Sequence, residues 1–562
     1  MLLFFVYFSI LTCAVQAQVE TKIVDLNQGS VRGYKDAKYD VFAFLGVPYA
    51  EEPKGRDKFK APLPPPTWDN ILNATESNSC PQFLTSMFSI PDNCLVANIY
   101  VPKTNAVNLP VLIYIHGGGF YMGAGHFQYP ISLVNSKRII AVTINYRLGV
   151  HGFLCLGTEN APGNAGMKDQ VAALRWVKEN IAKFGGNPNA ITIAGSSAGS
   201  ISVNYHLLSK MSRGLFQRLI PDSAADVSPF SPQQNPIEDA KKFAVSISSD
   251  LDVDDRNALE NFYLETPITE LSKQMLEIKQ DYSLIFSPCV ERETGTERFL
   301  EASPYSIIKS GDYPKLPKLE GFANMEGLLV ANLFDIYYPE MNKDFASFLP
   351  ADLQFESIEQ KNEVARTVKQ FYFGNKEVGL ETALQYFEYF SDIGFNYPIL
   401  RSIKLHLEAG METYYLYEYA FVDDETPYIP YTNIRGANHA AQTGAIYDSF
   451  LLFSNVTGEF EQMKETWQEL YLNFITDGQP VLESTESVPA WPKVQKFNSP
   501  YMLLNQTSSL KSSLMQRRFD FWDGIYEKHY SEPKPPSNRG HSYRYPAVLT
   551  FVHSITILMF RI

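Results

Sequence analysis

The stretch Ala190–Ser200 (AITIAGSSAGS) constrains the fold of this chain more than any other. Its first half is apolar and β-branched, and it stops at Gly195. Ser197 follows two residues later, Gly199 two after that, and Ser200–Leu208 then reads as a helix. A strand, a turn and a helix around G-x-S-x-G seat a serine on a bend so tight that side chains two residues to either side would strike neighbouring backbone. Glycine at 195 and 199 meets that need. The bend lifts the Ser197 hydroxyl above the sheet and aims the Ala198 N–H toward a reacting carbonyl oxygen. Gly-Ser-Ser-Ala-Gly-Ser alone could be a flexible loop; the strand before it and the helix after it favour a nucleophile.

Around this stretch the pattern alternates. Leu26–Ala50 reads as short strands with turns, and Glu51–Pro66 as loop. Leu95–Val101, Val111–Ile115, Ile139–Asn145 and Ala190–Ala194 are β-rich runs. Met167–Phe184 reads as a helix with Val171, Leu174, Val177 and Ile181 on one face. Strands alternating with helices predict an α/β architecture, a mostly parallel central sheet with helices on both faces. The second half is more helical, with candidates at Ser357–Phe373, Glu377–Tyr389, Phe460–Ile475 and Ser512–Tyr530. Ser357 and Gln360 have capping-box spacing. With no repeat and no internal linker, residues 18–530 read as one domain. An apolar content of 45% suffices for its core.

The ends differ from the body. Residues 1–17 form an apolar run closing on Val15-Gln16-Ala17 and read as a signal peptide, although no Lys or Arg precedes the run. Sequons at Asn73, Asn455 and Asn505 fit an extracellular, glycosylated protein. Cys13 leaves with the signal. Cys80 and Cys94 bracket a short loop and form the natural disulfide pair of an oxidising compartment, worth about 3 kcal/mol in the chain-entropy model. Cys155 and Cys289 lie in apolar strings and read as buried free thiols. Residues 531–546 read as a polar, Pro-rich linker. Residues 547–562 read as a hydrophobic tail, either a lipid-anchor signal with Ser537 or Asn538 as attachment site or a marginal membrane tail. A net charge of −14 without a basic stripe argues against nucleic acid as a partner. No spacing suits a metal, and no cofactor is expected.

A serine hydroxyl needs a base to take its proton and an acid to orient that base. A nucleophile of this strand–turn–helix kind takes its acid, then its histidine, from later in the chain. That order removes His116, His126 and His151, while His206 lies on the helix after the serine. His406 falls in a helical Leu-His-Leu string, and His529, His541 and His553 in the terminal region. His439, in the small-residue loop Arg435–Ala441, is the best base. Dozens of carboxylates lie between Ser197 and His439, and chemistry alone does not choose among them. Glu326 is a candidate because it follows a short hydrophobic segment and is flanked by loop glycines. The strand Val111–Ile115 leads into His116-Gly117-Gly118-Gly119, where backbone N–H groups can face a ligand with no side chain between.

These residues together resemble the type B carboxylesterase and cholinesterase family of the α/β-hydrolase fold. The likeness also runs through FLGVPYA at 44–50, DNCL at 92–95, NYRLG at 145–149, GNAGMKDQ at 163–170, ALRWV at 173–177 and FGGNP at 184–188. It implies Ser197 as nucleophile, Glu326 as acid, His439 as base, Gly118, Gly119 and Ala198 as oxyanion donors, and a Cys80–Cys94 disulfide. Three positions depart from the family: Ser196 replaces a common Glu, Ala225 a serine, and Gln442 a glutamate. In cholinesterase-like relatives these form an acidic network behind the histidine. Its loss implies a less negative site, little gain for cationic esters and a lower histidine pKa. The Cys80–Cys94 loop holds Phe83 and Phe88 but no Trp, which also argues against choline esters. The resemblance implies a secreted hydrolase of small neutral carboxylic esters. The rival is a weak or inactive adhesion-like member of the same fold, which would be expected to lack the serine or the histidine.

Overall fold

The structure, a computed structural model, describes residues 19–83, 91–273, 279–449, 457–481, 483–485 and 488–537. Thirteen strands form one sheet. In chain order they are Thr21–Asp25 (β1), Ser30–Lys35 (β2), Val41–Pro48 (β3), Leu72–Asn73 (β4), Val96–Pro102 (β5), Leu109–Ile115 (β6) and Ile140–Ile144 (β7). Gly186–Ser196 (β8), Arg218–Asp222 (β9), Lys318–Ala323 (β10), Tyr414–Tyr419 (β11), Tyr501–Leu504 (β12) and Ser509–Lys511 (β13) follow. The spatial order is β1-β2-β3-β5-β7-β6-β8-β9-β10-β11-β12-β13, with β4 beside β2. From β7 to β12 every pairing is parallel, and the flanking pairs are antiparallel except for short β4, which runs parallel to β2. The predicted mostly parallel sheet is therefore present, with antiparallel edges.

Successive strand side chains point to opposite faces. In β6, Val111, Ile113 and Ile115 enter one apolar core while Leu112 and Tyr114 enter the other. Both faces are covered, which is why these strands read as unbroken apolar runs. Helix Ala165–Asn180 continues as a 3₁₀ turn to Phe184, matching the expected span. Ser357 caps helix Ile358–Phe373 by accepting the Gln360 N–H at 3.2 Å, while the Gln360 side chain returns to the Glu356 N–H. The helix predicted at Glu377–Tyr389 starts later than its pattern suggested. Ala383–Ser391 runs into a π-helical turn, Asp392–Asn396, and then into helix Tyr397–Glu408.

Two expectations change. Cys155 and Cys289 are not free thiols; they form a disulfide, as do Cys80 and Cys94. The apolar strings around them bring the two sulfurs together from 134 residues apart, a proximity that local sequence does not encode. Gly163 makes room for the bridge, since a Cβ there would lie 2.6 Å from one sulfur and 2.9 Å from the other. In addition, the described part of the expected linker, residues 531–537, lies against the domain. The Ser531 N–H donates to the Asp352 carbonyl at 2.8 Å, Glu532 accepts the hydroxyls of Ser303 and Ser306, and Pro533 and Pro536 are buried. The hydrophobic tail at 547–562 and residues 1–17 lie outside the described residues. Among the described residues no helix is long and apolar enough to cross a membrane.

Candidate active site at the carboxyl ends of the central strands

Register brings the chemistry together. Gly195 of β8 is level with Ile115 of β6 and Pro221 of β9, and Asp222 of β9 with Gly321 of β10. The loops leaving these strands therefore share one edge, the usual place for a ligand crevice in an open parallel sheet. Ser197 has φ 58° and ψ −122°, a strained conformation for a residue with a side chain. Helix Ala198–Leu208 and a 2.8 Å bond from the Ser197 N–H to the Asp222 carbonyl hold it there. A Cβ at Gly195 would lie 2.5 Å from the Gly199 carbonyl oxygen, and one at Gly199 would lie 2.1 Å from that of Ile115. These are the backbone collisions the motif predicts.

Gly117 abuts the serine: a Cβ there would meet the Ser197 Cβ at 3.2 Å. Gly118 turns with φ 106° and Gly119 with φ 62°, while the Gly118 carbonyl accepts the N–H groups of Tyr121 and Met122. Among the described residues the amides of Gly118, Gly119 and Ala198 donate to no acceptor. They form a set of unclaimed donors beside Ser197. His116, which the chain order removed as a base, is buried against Tyr146, and burial pushes its imidazole down to about 4.

His439 Nδ1 lies 2.5 Å from Glu326 Oε2. Glu326 is fully buried, and its other oxygen accepts the Ser223 hydroxyl at 2.5 Å and the Ala323 N–H at 2.7 Å. The loops carrying Glu326 and His439 are stitched to each other. Met325 N–H donates to the Ala437 carbonyl at 3.0 Å, and Ala437 N–H to Asn324 Oδ1 at 2.9 Å. Gly436 fits because its missing Cβ would sit 2.9 Å from that of Met325. The Phe395 ring lies 4.6 Å from the His439 ring, and Phe395 sits on the π-helical turn, a feature that recurs at functional sites. The second imidazole nitrogen and the Ser197 hydroxyl have no hydrogen-bond partner among the described residues, each other included. Such bonds tighten when substrate is seated.

Of the three altered positions, only Gln442 touches this system. Its Nε2 donates to Ser223 Oγ at 2.5 Å and also to Asp222 Oδ1. Ser196 is buried with its hydroxyl unpartnered among the described residues, and the Ala225 N–H donates to Ser228 Oγ. Asp222 is what the sequence reading missed. It stands one residue before Ser223, accepts Tyr417 and Thr443 hydroxyls at 2.8 Å each, and burial pushes its carboxyl up to about 6 despite those bonds. The expectation of a network stripped of carboxylates is thus corrected: one carboxylate occupies it from a different strand. The signal was the Asp222-Ser223 pair itself, unreadable without knowing that Gln442 comes to meet it.

Other quoted motifs serve the scaffold. Arg147 and Asp169 form a fully buried two-pronged pair at 2.6 and 2.7 Å, and Lys168 meets Glu291 at 2.6 Å. Asn145 ties the Cys94 carbonyl to the Gly125 amide, holding the disulfide loop beside the glycine run. His206 is spent between Ser212 and Gln170. Asn73 is exposed on β4 and Asn505 is half-buried after β12, whereas Asn455 lies outside the described residues. Among the described residues no cluster of three or more metal-ligating side chains occurs.

A family model described as the carboxylesterase family matches residues 20–522. A carboxylic ester hydrolase of Bombus ignitus is 31% identical over 532 residues, covering 89% of this chain and 94% of its own. A juvenile hormone esterase of Heliothis virescens is 32% identical over 519 residues, covering 85% of this chain and 90% of its own. Among solved structures, juvenile hormone esterase from Manduca sexta with OTFP covalently attached has a TM-score of 0.78 at 28% identity, over 90% of this chain and all of that one. The chain belongs to the carboxylesterase family, on the α/β-hydrolase fold. By class it is a carboxylic ester hydrolase.

Proposed function

We propose that Ser197, His439 and Glu326 act as a catalytic triad on small neutral carboxylic esters through an acyl-enzyme. Ser197 Oγ attacks the acyl carbon while His439 takes its proton. Glu326 holds the imidazole in one tautomer and stabilises the cation that forms. The amides of Gly118, Gly119 and Ala198 receive the developing oxyanion, each such donor being typically worth about 3 kcal/mol of barrier. His439 then protonates the departing alcohol, water attacks the acyl-enzyme, and the cycle closes. The single observation that carries this reading is the 2.5 Å His439–Glu326 contact, with the other ring nitrogen unpartnered among the described residues, at the strand edge that bears Ser197. Phe395 against the His439 ring favours an apolar acyl group. A covalently attached molecule in the Manduca sexta esterase is consistent with a nucleophilic route. Two disulfides fit folding in an oxidising, secretory compartment, the reading we keep for localisation.

The test is labelling by an organophosphonate probe, compared between the wild type and Ser197→Ala, followed by p-nitrophenyl esters of increasing chain length. Labelling and turnover should vanish together in the variant. Labelling that survives would remove Ser197 from its role.

A further inference from the structure

We propose that Asp222 is a positioning residue for the triad, fixing through Gln442 and Ser223 the direction in which the hydrogen bonds behind His439 run. The inference rests on the triad reading above and adds a residue to it. Each donor and acceptor in the chain can be assigned from chemistry. An ionised carboxylate only accepts, so the Asp222 oxygen beside Gln442 must face its NH₂ group and not its carbonyl oxygen. That choice spends one amide hydrogen on Asp222 and aims the other at Ser223 Oγ, 2.5 Å away. Ser223 Oγ, now accepting from Gln442, has one proton left to give. Its neighbours are Glu326 Oε1 at 2.5 Å and Asp222 Oδ1 at 3.4 Å, so the proton goes to Glu326. Glu326 then accepts from Ser223 and Ala323 on one oxygen and faces His439 with the other.

Asp222 also fixes the segment that carries the base. Gln442 and Thr443 belong to helix Ala441–Ile446, which begins two residues after His439, and both are bonded to Asp222. The carboxylate thus joins β9, whose last carbonyl holds the Ser197 amide, to the loop that presents the imidazole. The groups facing Asp222 are Ser223 and Glu326, Gln442 and Thr443, Tyr417 of β11, Tyr114 of β6, and Tyr447 and Tyr471 from the helical side. Burial first of all holds these tyrosines protonated far above neutral pH, so Glu326 is the only other charge among them.

Two substitutions and their combination test this. Asp222→Asn keeps the shape and one acceptor but removes the charge that forbids the Gln442 amide to flip. Gln442→Leu keeps the charge and cuts the path. Rates are divided by the concentration of sites titrated with a phosphonate, so misfolded protein does not enter. Each single variant should lower kcat about tenfold, the rate equivalent of one hydrogen bond, with KM little changed. Asp222→Asn should move the acid limb of the pH–rate profile down by several tenths of a unit, because losing an anion makes the imidazolium easier to deprotonate. The double variant should be no slower than the worse single one, since both break one path. Multiplying losses, or an Asp222→Asn enzyme with the wild-type kcat and acid limb, would overturn the proposal and leave the triad standing. Labelling retained by Ser197→Ala would instead overturn the triad.

Discussion

Among the described residues two imidazoles meet fully buried carboxylates at hydrogen-bond distance, and only one of them is proposed as a base. His439 meets Glu326 at 2.5 Å, and His406 meets Asp226 at 2.8 Å. Both carboxylates are fully buried. The difference lies in the second ring nitrogen. His406 spends it on the Tyr313 hydroxyl at 2.7 Å, on a helix with no exposed surface at that point. His439 keeps it unpartnered among the described residues, on a small-residue loop. Burial alone would push the Asp226 carboxyl up, but His406, Lys318 and Ser402 hold it below the usual carboxylate range. The pair therefore belongs to the buried scaffold, beside Lys318 and Glu320. A histidine–carboxylate contact defines a base only when one nitrogen is left over and reachable.

The sharpest way to break this comparison is to disable each histidine in turn. His439→Ala should lower kcat on the order of 10⁶-fold, the cost seen when one triad member is removed, and cost less stability than loss of His406, because the Ser223 hydroxyl and the Ala323 N–H still pair Glu326. His406→Ala should do the opposite, leaving titrated sites active and costing about 3–5 kcal/mol of stability by stranding a buried Asp226 charge. Equal activity losses in the two variants would erase the distinction. Glu326→Gln, which keeps the shape and offers the wrong proton to the ring, should lower kcat about 10⁴-fold, and steady-state kinetics against a short ester checks it.

A smaller effect is expected at the Cys155–Cys289 bridge. Replacing both cysteines by serine should cost about 4–5 kcal/mol by loop-closure entropy, read from denaturant unfolding, with the rate per titrated site unchanged. Phe395→Leu should alter KM by less than about tenfold across the ester series, in line with the loss of one aromatic contact. The smallest concerns pH. Burial raises Asp222 to about 6 from a normal value of 3.8. Between these values the folded chain holds a proton that the unfolded chain has released, so this group makes stability fall as pH rises through that window. Asp222→Asn should flatten that slope in thermal unfolding scans run from pH 4 to pH 7. A steeper slope would contradict the assignment.

Much was legible without coordinates because some chemistry is encoded locally. Gly195 and Gly199 could be named from steric need alone, and the structure shows the backbone atoms they avoid. Apolar runs at Val111–Ile115 and Ile191–Ala194 announced strands covered on both faces, as they are. Ser357 announced a helix start, and it is the cap. The proposed acid was different: Glu326 had no local mark that separated it from dozens of carboxylates, and only the family resemblance raised it.

What the sequence by itself determined is the set of features whose physics is satisfied within a few residues: the serine bend, the glycine run, the parallel-sheet pattern and the caps. Tertiary structure alone decided the rest, because those partners are set by strand order and register. It paired Cys155 with Cys289 across 134 residues, spent His406 on Tyr313, and turned Phe395 toward His439 on a π-helical turn. It also placed a carboxylate behind the Glu326–His439 pair through Asp222, which meets Gln442 across 220 positions of chain. A hydrogen bond depends on where two atoms end up in space, and separation along the chain carries almost no information about that.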